Sequence, residues 1–401
     1  MTEQDAPLAF PFPPADSLFQ PSPTYTRLRE EASVTQIRTP DGKTAWLVTR
    51  HADVRFVLTD PRFSRAAAAG PGVPVSGLGR LASGSMLGMD PPEHTRLRKL
   101  VTRAFTARRV EELRPRTTKL VDELLTAVQP LPRPVDLMNY FSLQLPIHVI
   151  SELLGIPWRD RILLHDWSDT VMGDWQQHPD DLDRALDNLV GYFSDLISVK
   201  RTHRADDLMT ALIAARDEAD RLSESELVNL CMGLLIAGHE TTVSQLNMFL
   251  VTLLEHPGHL ARLRADPALV PRAVDELLRY VQISASGGTL PRVTTEEVEI
   301  GGVRLPAGSV VMTATNSANR DVAAFGEPDR LDLARTDNPH LTFGTGLHYC
   351  LGAQLARMEL QEAIRGVLRH MPDLTLAVPC SELRFKRGMF IRTLENLPVT
   401  W

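Results

Sequence analysis

The segment SESELVNLCMGLLIAGHETTVSQLNMFLVTLLEH, residues 223–256, constrains the fold more than any other stretch. Between Leu227 and Leu254 it holds the most hydrophobic candidate for a membrane span, and a helix of this length must be surrounded by lipid or by protein. His239, Glu240, Thr241, Thr242, Ser244, Gln245 and Asn247 interrupt it near its middle. A bilayer helix needs ~20 mainly apolar residues, and charge at its centre is costly. The segment is therefore expected to cross a protein interior. Ser223 and Glu226 carry the capping-box pattern at its start, and His256-Pro257 marks its stop.

Apolar residues recur at three- and four-residue intervals through PPEHTRLRKLVTRAF, VEELRPRTTKLVDELLTAV, LPIHVISELLG, DLDRALDNLVGYFSDLISVKRTH and DDLMTALIAARDEA, which predicts successive helices. PRAVDELLRYV and LGAQLARMELQEAIRGVLRHM add two more. Short alternating runs predict minor β structure: VTQIRT and TAWLVT around PDGK, VEIGGVRLPAGSVVMTATN, and the last thirty residues. Residues 61–90, rich in Ala, Gly and Pro, read as an irregular loop. Residues 1–20, acidic and proline-broken where a signal peptide would need a basic start and an unbroken apolar stretch, read as an extended arm. No repeat or linker divides residues 21–401, so one mainly helical domain with minor β sheets is expected.

A hydrophobic share of 43%, a charged share of 23% and a net charge of −7 are ordinary for a globular chain and offer no nucleic-acid surface. Three cysteines, Cys231, Cys350 and Cys380, without a CxxC pair argue against a disulfide framework or a tetrahedral zinc site and fit a reducing cytoplasm. One of them stands out. FGTGLHYCLG, residues 343–352, surrounds Cys350 with Gly344, Gly346 and Gly352. A metal-bound thiolate needs its charge stabilised, and thin backbone can bring N–H donors close to sulfur. A single cysteine thiolate is also the axial ligand that favours O–O cleavage on haem iron. Taken alone, an isolated cysteine at a helix start reads first as a small buried hydrophobe.

The full pattern F-G-x-G-x-H-x-C-x-G, carried by Phe343, Gly344, Gly346, His348, Cys350 and Gly352, resembles the haem loop of the cytochrome P450 superfamily, soluble bacterial type. Three further segments match the family in order. AGHETT, residues 237–242, is similar to the I-helix motif, in which Glu240 and Thr241 would form the acid-alcohol pair that relays protons. Ala237 and Gly238 would leave room beside the helix. On the residues alone, Glu240 reads equally as a satisfied core carboxylate and Thr241 as a backbone bonder. His239 is read as packing. DELLRY holds Glu276 and Arg279, the family's E-x-x-R pair, and the resemblance assigns Arg330 as the third, basic member of that structural lock. His94, Arg98, Arg292 and His348 match positions that bind the haem propionates, while Arg103, Arg108 and Arg109 read as surface charge or part of a basic docking face.

The resemblance implies a triangular, mainly α fold with haem b between the I and L helices and Cys350 on the iron. It also implies dioxygen as co-substrate, and electrons from NAD(P)H through a ferredoxin or flavodoxin with its reductase. A cytoplasmic monomer with no membrane partner is expected. The activity implied is a monooxygenase inserting one oxygen atom, by hydroxylation or epoxidation, into a bulky hydrophobic secondary metabolite such as a polyketide or macrolide. Substrate contacts are expected from Met86, Leu87, Leu235, Ile236, Ser286, Gly288, Thr289, Met389 and Phe390. Oxidative coupling or ring formation without oxygen insertion is the alternative within enzymes, and a non-catalytic haem sensor the alternative of another class; retention of Glu240 and Thr241 weighs against both.

Overall fold

The computed structural model describes residues 6–13, 15, 19–70, 73, 84–173, 178–217, 221–284 and 290–401. Its helices are α1 (Pro23–Glu31), α2 (His51–Thr59), α3 (Glu93–Thr102), α4 (Ala107–Val128), α5 (Gln144–Leu154), α6 (Arg161–Met172), α7 (Pro179–Thr202), α8 (Leu208–Asp217), α9 (Glu224–Glu255), α10 (Pro257–Ala265), α11 (Val270–Tyr280), α12 (Thr315–Ala318) and α13 (Ala353–His370). The strands are β1 (Leu8–Ala9), β2 (Val34–Arg38), β3 (Thr44–Val48), β4 (Phe63–Ser64), β5 (Val135–Asp136), β6 (Arg292–Thr294), β7 (Val298–Ile300), β8 (Val303–Leu305), β9 (Val310–Thr313), β10 (Thr375–Leu376) and β11 (Pro398–Thr400).

The long segment is one helix, α9, and its start is built as the sequence requires. Ser223 Oγ accepts from the Glu226 amide at 3.2 Å, and the Glu226 carboxylate accepts from the Ser223 amide at 2.7 Å. From Thr242 to Leu253 the helix is buried without interruption. Its polar residues there find local partners: Ser244 meets Thr393 at 2.9 Å and Gln245 donates to the Val281 carbonyl at 3.2 Å. Among the described residues no helix is long and apolar enough to cross a membrane. Protein takes the place of lipid around α9: α5, α6, α7, α8 and α13 all pack on it, each buried large apolar side chain contributing about 1.5–3 kcal/mol.

The strands form a six-stranded sheet in the order β1-β2-β3-β9-β6-β4, a three-stranded sheet β10-β11-β5 and the hairpin β7-β8. Within the segment expected as an extended arm, Leu8 and Ala9 pair in parallel with Ile37 and Arg38. Residues 61–90, expected to be irregular, contribute β4, which pairs antiparallel with β6 so that Ser64 faces Val293. This register matters for the site. It brings Arg65, one residue past β4, beside Arg292 at the start of β6.

The lock on α11 forms with a different third member. Arg279 donates to both Glu276 oxygens at 2.8 Å, and the second cation is Arg335, whose Nε reaches Glu276 Oε2 at 3.0 Å. Arg330, expected in that role, is exposed and pairs with Glu327; only its backbone carbonyl enters the lock, accepting from Arg279 at 3.1 Å.

Candidate active site

Cys350 sits between a short 3-10 turn (Gly346–His348) and α13. The loop can take this path because Gly344 and Gly346 adopt left-handed φ values of 67° and 71°, which L side chains rarely adopt. At Gly346 a Cβ would also stand 2.8 Å from the Leu58 carbonyl. Gly352 differs: apart from its own chain neighbours and helix backbone, no atom among the described residues lies within 4 Å of where its Cβ would be, so the space is left to whatever fills the cavity it lines. Cys350 is exposed and lines that cavity. Burial raises its thiol pKa, opposed by the Gly352 amide and the charges of Arg98 and Arg357. Arg98 also donates to the Tyr349 carbonyl at 2.6 Å, and Arg357 lies over the Phe343 ring at 4.6 Å.

The cavity has a volume of about 290 Å³. The cysteine loop lines it through Phe343, Cys350 and Gly352, and α9 through Leu230, Gly233, Leu234, Ala237 and Thr241. That spacing of three and four residues is one helix face. Leu235 and Ile236, expected as substrate contacts, lie off this face and are buried in the core. Gly238 lines the cavity too, but its bareness is demanded by packing: a Cβ there would meet Ile150 of α5 at 2.8 Å. Met86 and Leu87 do line the cavity, with Ser85. Met389 lines instead a larger groove, about 560 Å³, shared with Phe12, Phe19 and Tyr25, which contains none of the residues proposed for chemistry. The Phe390 amide donates to Met172 at the end of α6. Ser286, Gly288 and Thr289 lie outside the described residues.

At the rim, cations gather with too few anions. Arg292 is buried and Arg65 half-buried, and Arg65 Nε and Nη1 and Arg292 Nη1, each shielded from solvent, have no hydrogen-bond partner among the described residues. Burial pulls them down from the usual guanidinium value to about 9 and about 10, respectively. Both ring nitrogens of His94 are likewise unpartnered, and its ring lies 4.4 Å from that of His348. Burial, then Arg65, His94, Arg292 and Arg98, push His348 down to about 3. The nearest acid, Asp90, is engaged by the Ser64 hydroxyl and by the Arg65 and Ala66 amides. Buried guanidinium groups without anions are costly. The residues present therefore fit a group carrying two carboxylates at this rim and a metal above Cys350, as haem does. Arg65 was not singled out in the sequence, where SRAAAA looks like loop; its register against Arg292 is what reveals it.

Thr241 faces the cavity, and its hydroxyl donates to the Ala237 carbonyl at 2.9 Å. Glu240 does not line the cavity. It is buried on the neighbouring face, where His239 Nε2 lies 2.8 Å and His165 Nδ1 3.0 Å from Oε1. Burial alone would raise its pKa, but the two imidazoles hold the carboxyl well below the usual carboxylate range. His165 on α6 was missed in the sequence, and His239, read as packing, is in direct contact with the acid.

The cytochrome P450 family model matches residues 143–372. The chain is 48% identical to nocardicin C N-oxygenase of Nocardia uniformis subsp. tsuyamanensis, over 94% of this chain and 95% of that one. It is 42% identical to mycinamicin IV hydroxylase/epoxidase of Micromonospora griseorubida, over 98% and 99%. Among solved structures, HinD with NMFT and NO superposes with a TM-score of 0.93 at 46% identity, covering 99% of this chain and 100% of that one.

Proposed function

The chain belongs to the cytochrome P450 family and is a haem-thiolate monooxygenase using dioxygen and supplied electrons, and from that premise we propose that it inserts one oxygen atom into a bulky, mostly hydrophobic secondary metabolite of polyketide or macrolide kind. The observation that carries this reading is that Cys350 and Thr241 line one and the same cavity. When bound, haem supplies an iron that activates dioxygen, with thiolate ligation favouring O–O cleavage.

The chain's own residues then have separable tasks. Cys350 offers the ligand sulfur, with the Gly352 amide and the charges of Arg98 and Arg357 favouring its thiolate. Arg65, Arg292, His94 and His348 offer charge and N–H donors to the propionates of haem b. Thr241 has committed its own proton to Ala237, so its lone pairs are free to accept from a group in the cavity. Glu240 holds a proton-bearing contact one residue away, and the apolar wall of Met86, Leu87, Leu230 and Leu234 keeps bulk water from competing.

Nocardicin C and mycinamicin IV, the compounds in the relatives' names, are the first probes to screen. A cytoplasmic setting, suggested by three free cysteines, and electrons from NAD(P)H through a ferredoxin or flavodoxin with its reductase belong to the same proposal. In an isotopic dioxygen experiment with a ferredoxin system, the product should gain one labelled oxygen atom; loss of two hydrogens without label would replace insertion by coupling. The reduced carbon monoxide complex should show the strongly red-shifted Soret band of thiolate ligation. Retention of that band by Cys350→Ala would overturn the ligand assignment.

A further inference from the structure

His165, His239 and Glu240 form a cluster whose protons can be counted from geometry. His239 Nδ1 lies 2.8 Å from the Leu235 carbonyl, which can only accept, so Nδ1 carries a hydrogen. His239 Nε2 lies 2.8 Å from Glu240 Oε1. A carboxylate also only accepts, so this contact needs a second ring proton or a proton on the carboxyl. Either way the pair holds one proton more than a neutral imidazole beside a carboxylate. His165 Nδ1, 3.0 Å from the same oxygen, is a further donor.

A metal would be the other way to hold three such atoms together. Ligand atoms about 2.0–2.1 Å from a tetrahedral zinc stand about 3.3 Å from one another, whereas two of the three separations here are 2.8 and 3.0 Å. Those are hydrogen-bond lengths. The cluster holds protons.

We infer that His165, Glu240 and His239 form a proton-loading unit for the reaction at Thr241, with His239 and Glu240 sharing the stored proton and His165 refilling it from solvent. This rests on the monooxygenase reading. Oxygen insertion consumes dioxygen, two electrons and two protons and yields product plus one water, so each turnover draws on such a store. The electrons come from the reductase system, and the protons from water by way of the unit. Placement supports the roles: His239 and Glu240 are fully buried, while the His165 side chain, at 17% exposed, is the member that touches solvent. Glu240 is adjacent in sequence to Thr241, whose hydroxyl faces the cavity.

The other charges facing the unit are Asp169, one turn beyond His165 on α6, and Lys386, whose Nζ lies 2.7 Å from both Asp169 oxygens. Burial opposes charge on His165, and Lys386 adds to that opposition, but the Glu240 hydrogen bond and the Glu240 and Asp169 charges raise its pKa. His165 and His239 are positioning residues here, acting through Glu240 and Thr241.

The test is a proton count that needs no turnover. In 15N-histidine-labelled holoenzyme held as the diamagnetic reduced carbon monoxide complex, ring-nitrogen spectra at pH about 7.5, a unit above the ordinary imidazole value of about 6.5, should show one histidine protonated at both nitrogens or sharing a strongly deshielded proton. Glu240→Gln should abolish that signal. Neutral rings throughout in the unmodified enzyme with no strongly deshielded proton between His239 and Glu240, or a signal indifferent to Glu240→Gln, would overturn the proposal. The kinetic arm uses NAD(P)H consumption with a ferredoxin system in light and heavy water. His165→Asn and His239→Asn should slow the proton-dependent step about tenfold or more, raise the solvent isotope effect and make the rate fall with rising pH. An unchanged isotope effect and pH profile in both variants would count against the unit. If His239→Asn does not fold, the spectra of the parent and Glu240→Gln enzymes together with His165→Asn decide. A doubly protonated ring in a protein that oxidises no probe would retain the unit and overturn the monooxygenase reading instead.

Discussion

Arg335 Nε donates to Glu276 Oε2 at 3.0 Å across fifty-nine positions of sequence, making Arg335 the second cation on a carboxylate with no solvent exposure. Glu276 also accepts from the Asp332 amide at 2.9 Å, so the carboxylate fixes the segment that leads into the cysteine loop. Removing the sole cation from a buried carboxylate costs about 3–5 kcal/mol; here Arg279 remains. Arg335→Ala should therefore lose about 2–3 kcal/mol in chemical denaturation of the holoenzyme, while Arg330→Ala, altering only an exposed pair with Glu327, should stay within about 0.5 kcal/mol. Equal losses would restore Arg330 to the lock.

Arg65 predicts a haem-retention phenotype. A charge-assisted hydrogen bond contributes about 1.5–3 kcal/mol, so Arg65→Gln should speed haem transfer to an apomyoglobin acceptor by about tenfold or more, comparably to Arg292→Gln. Transfer at the parental rate would remove Arg65 from the propionate set.

The glycines of the cysteine loop should separate by cause. Gly346→Ala forces a left-handed φ on a side chain and drives a Cβ to 2.8 Å from the Leu58 carbonyl, which should cost about 2 kcal/mol or more. Gly352→Ala meets no atom among the described residues beyond its own chain neighbours and helix backbone and should leave the stability of haem-free protein unchanged while weakening haem uptake. Thermal melts of both variants, with and without haem, read the difference.

These contrasts show what the sequence could and could not carry. Local chemistry was legible: the Ser223 capping box, the alternation of β2 and β3 around Asp41-Gly42, and the Cys350 loop all depend on residues a few positions apart. The helix α6 was not, because Ile162 and Leu163 are apolar yet exposed and blur the period that marks a buried face. His165 disappeared with it. Arg65 and Arg335 were hidden for another reason: their partners are set by sheet register and by a loop's return path, which a single sequence does not encode at short range. Leu235 and Ile236 were placed one helix face away from the cavity, since each residue of a helix turns the side chain through about 100°.

The contact between α6 and α9 should depend on pH in a stated direction. Glu240 has a depressed pKa, so its contribution is present above the ordinary carboxylate range and lost only in strong acid. His165 has a raised pKa, so its contribution is fully present below the ordinary imidazole value of about 6.5 and lost as pH rises through the folded-state value. The tether is therefore strongest in mildly acid solution and weakens toward alkaline pH. Hydrogen exchange of α6 amides, corrected for intrinsic rates, should show greater protection at pH about 6 than at pH about 9, and His165→Asn should flatten the difference. A profile that rises with pH would contradict the contact.

Thr241→Val keeps the branched shape in the cavity wall and removes only the hydroxyl that bonds Ala237 at 2.9 Å. Without its lone pairs the cavity loses an acceptor at the point where protons must be guided, while the cysteine, the rim cations and the apolar wall stay in place. Reductant consumption should continue, and the fraction recovered as oxygenated product should fall about tenfold, with the balance released as hydrogen peroxide. Because the side chain is isosteric, folding and the reduced carbon monoxide spectrum should remain those of the parent. Peroxide release at the parental level, with full recovery of reducing equivalents in product, would show that proton guidance does not pass through Thr241, and would leave Glu240 and its two histidines to act by a route that bypasses the hydroxyl.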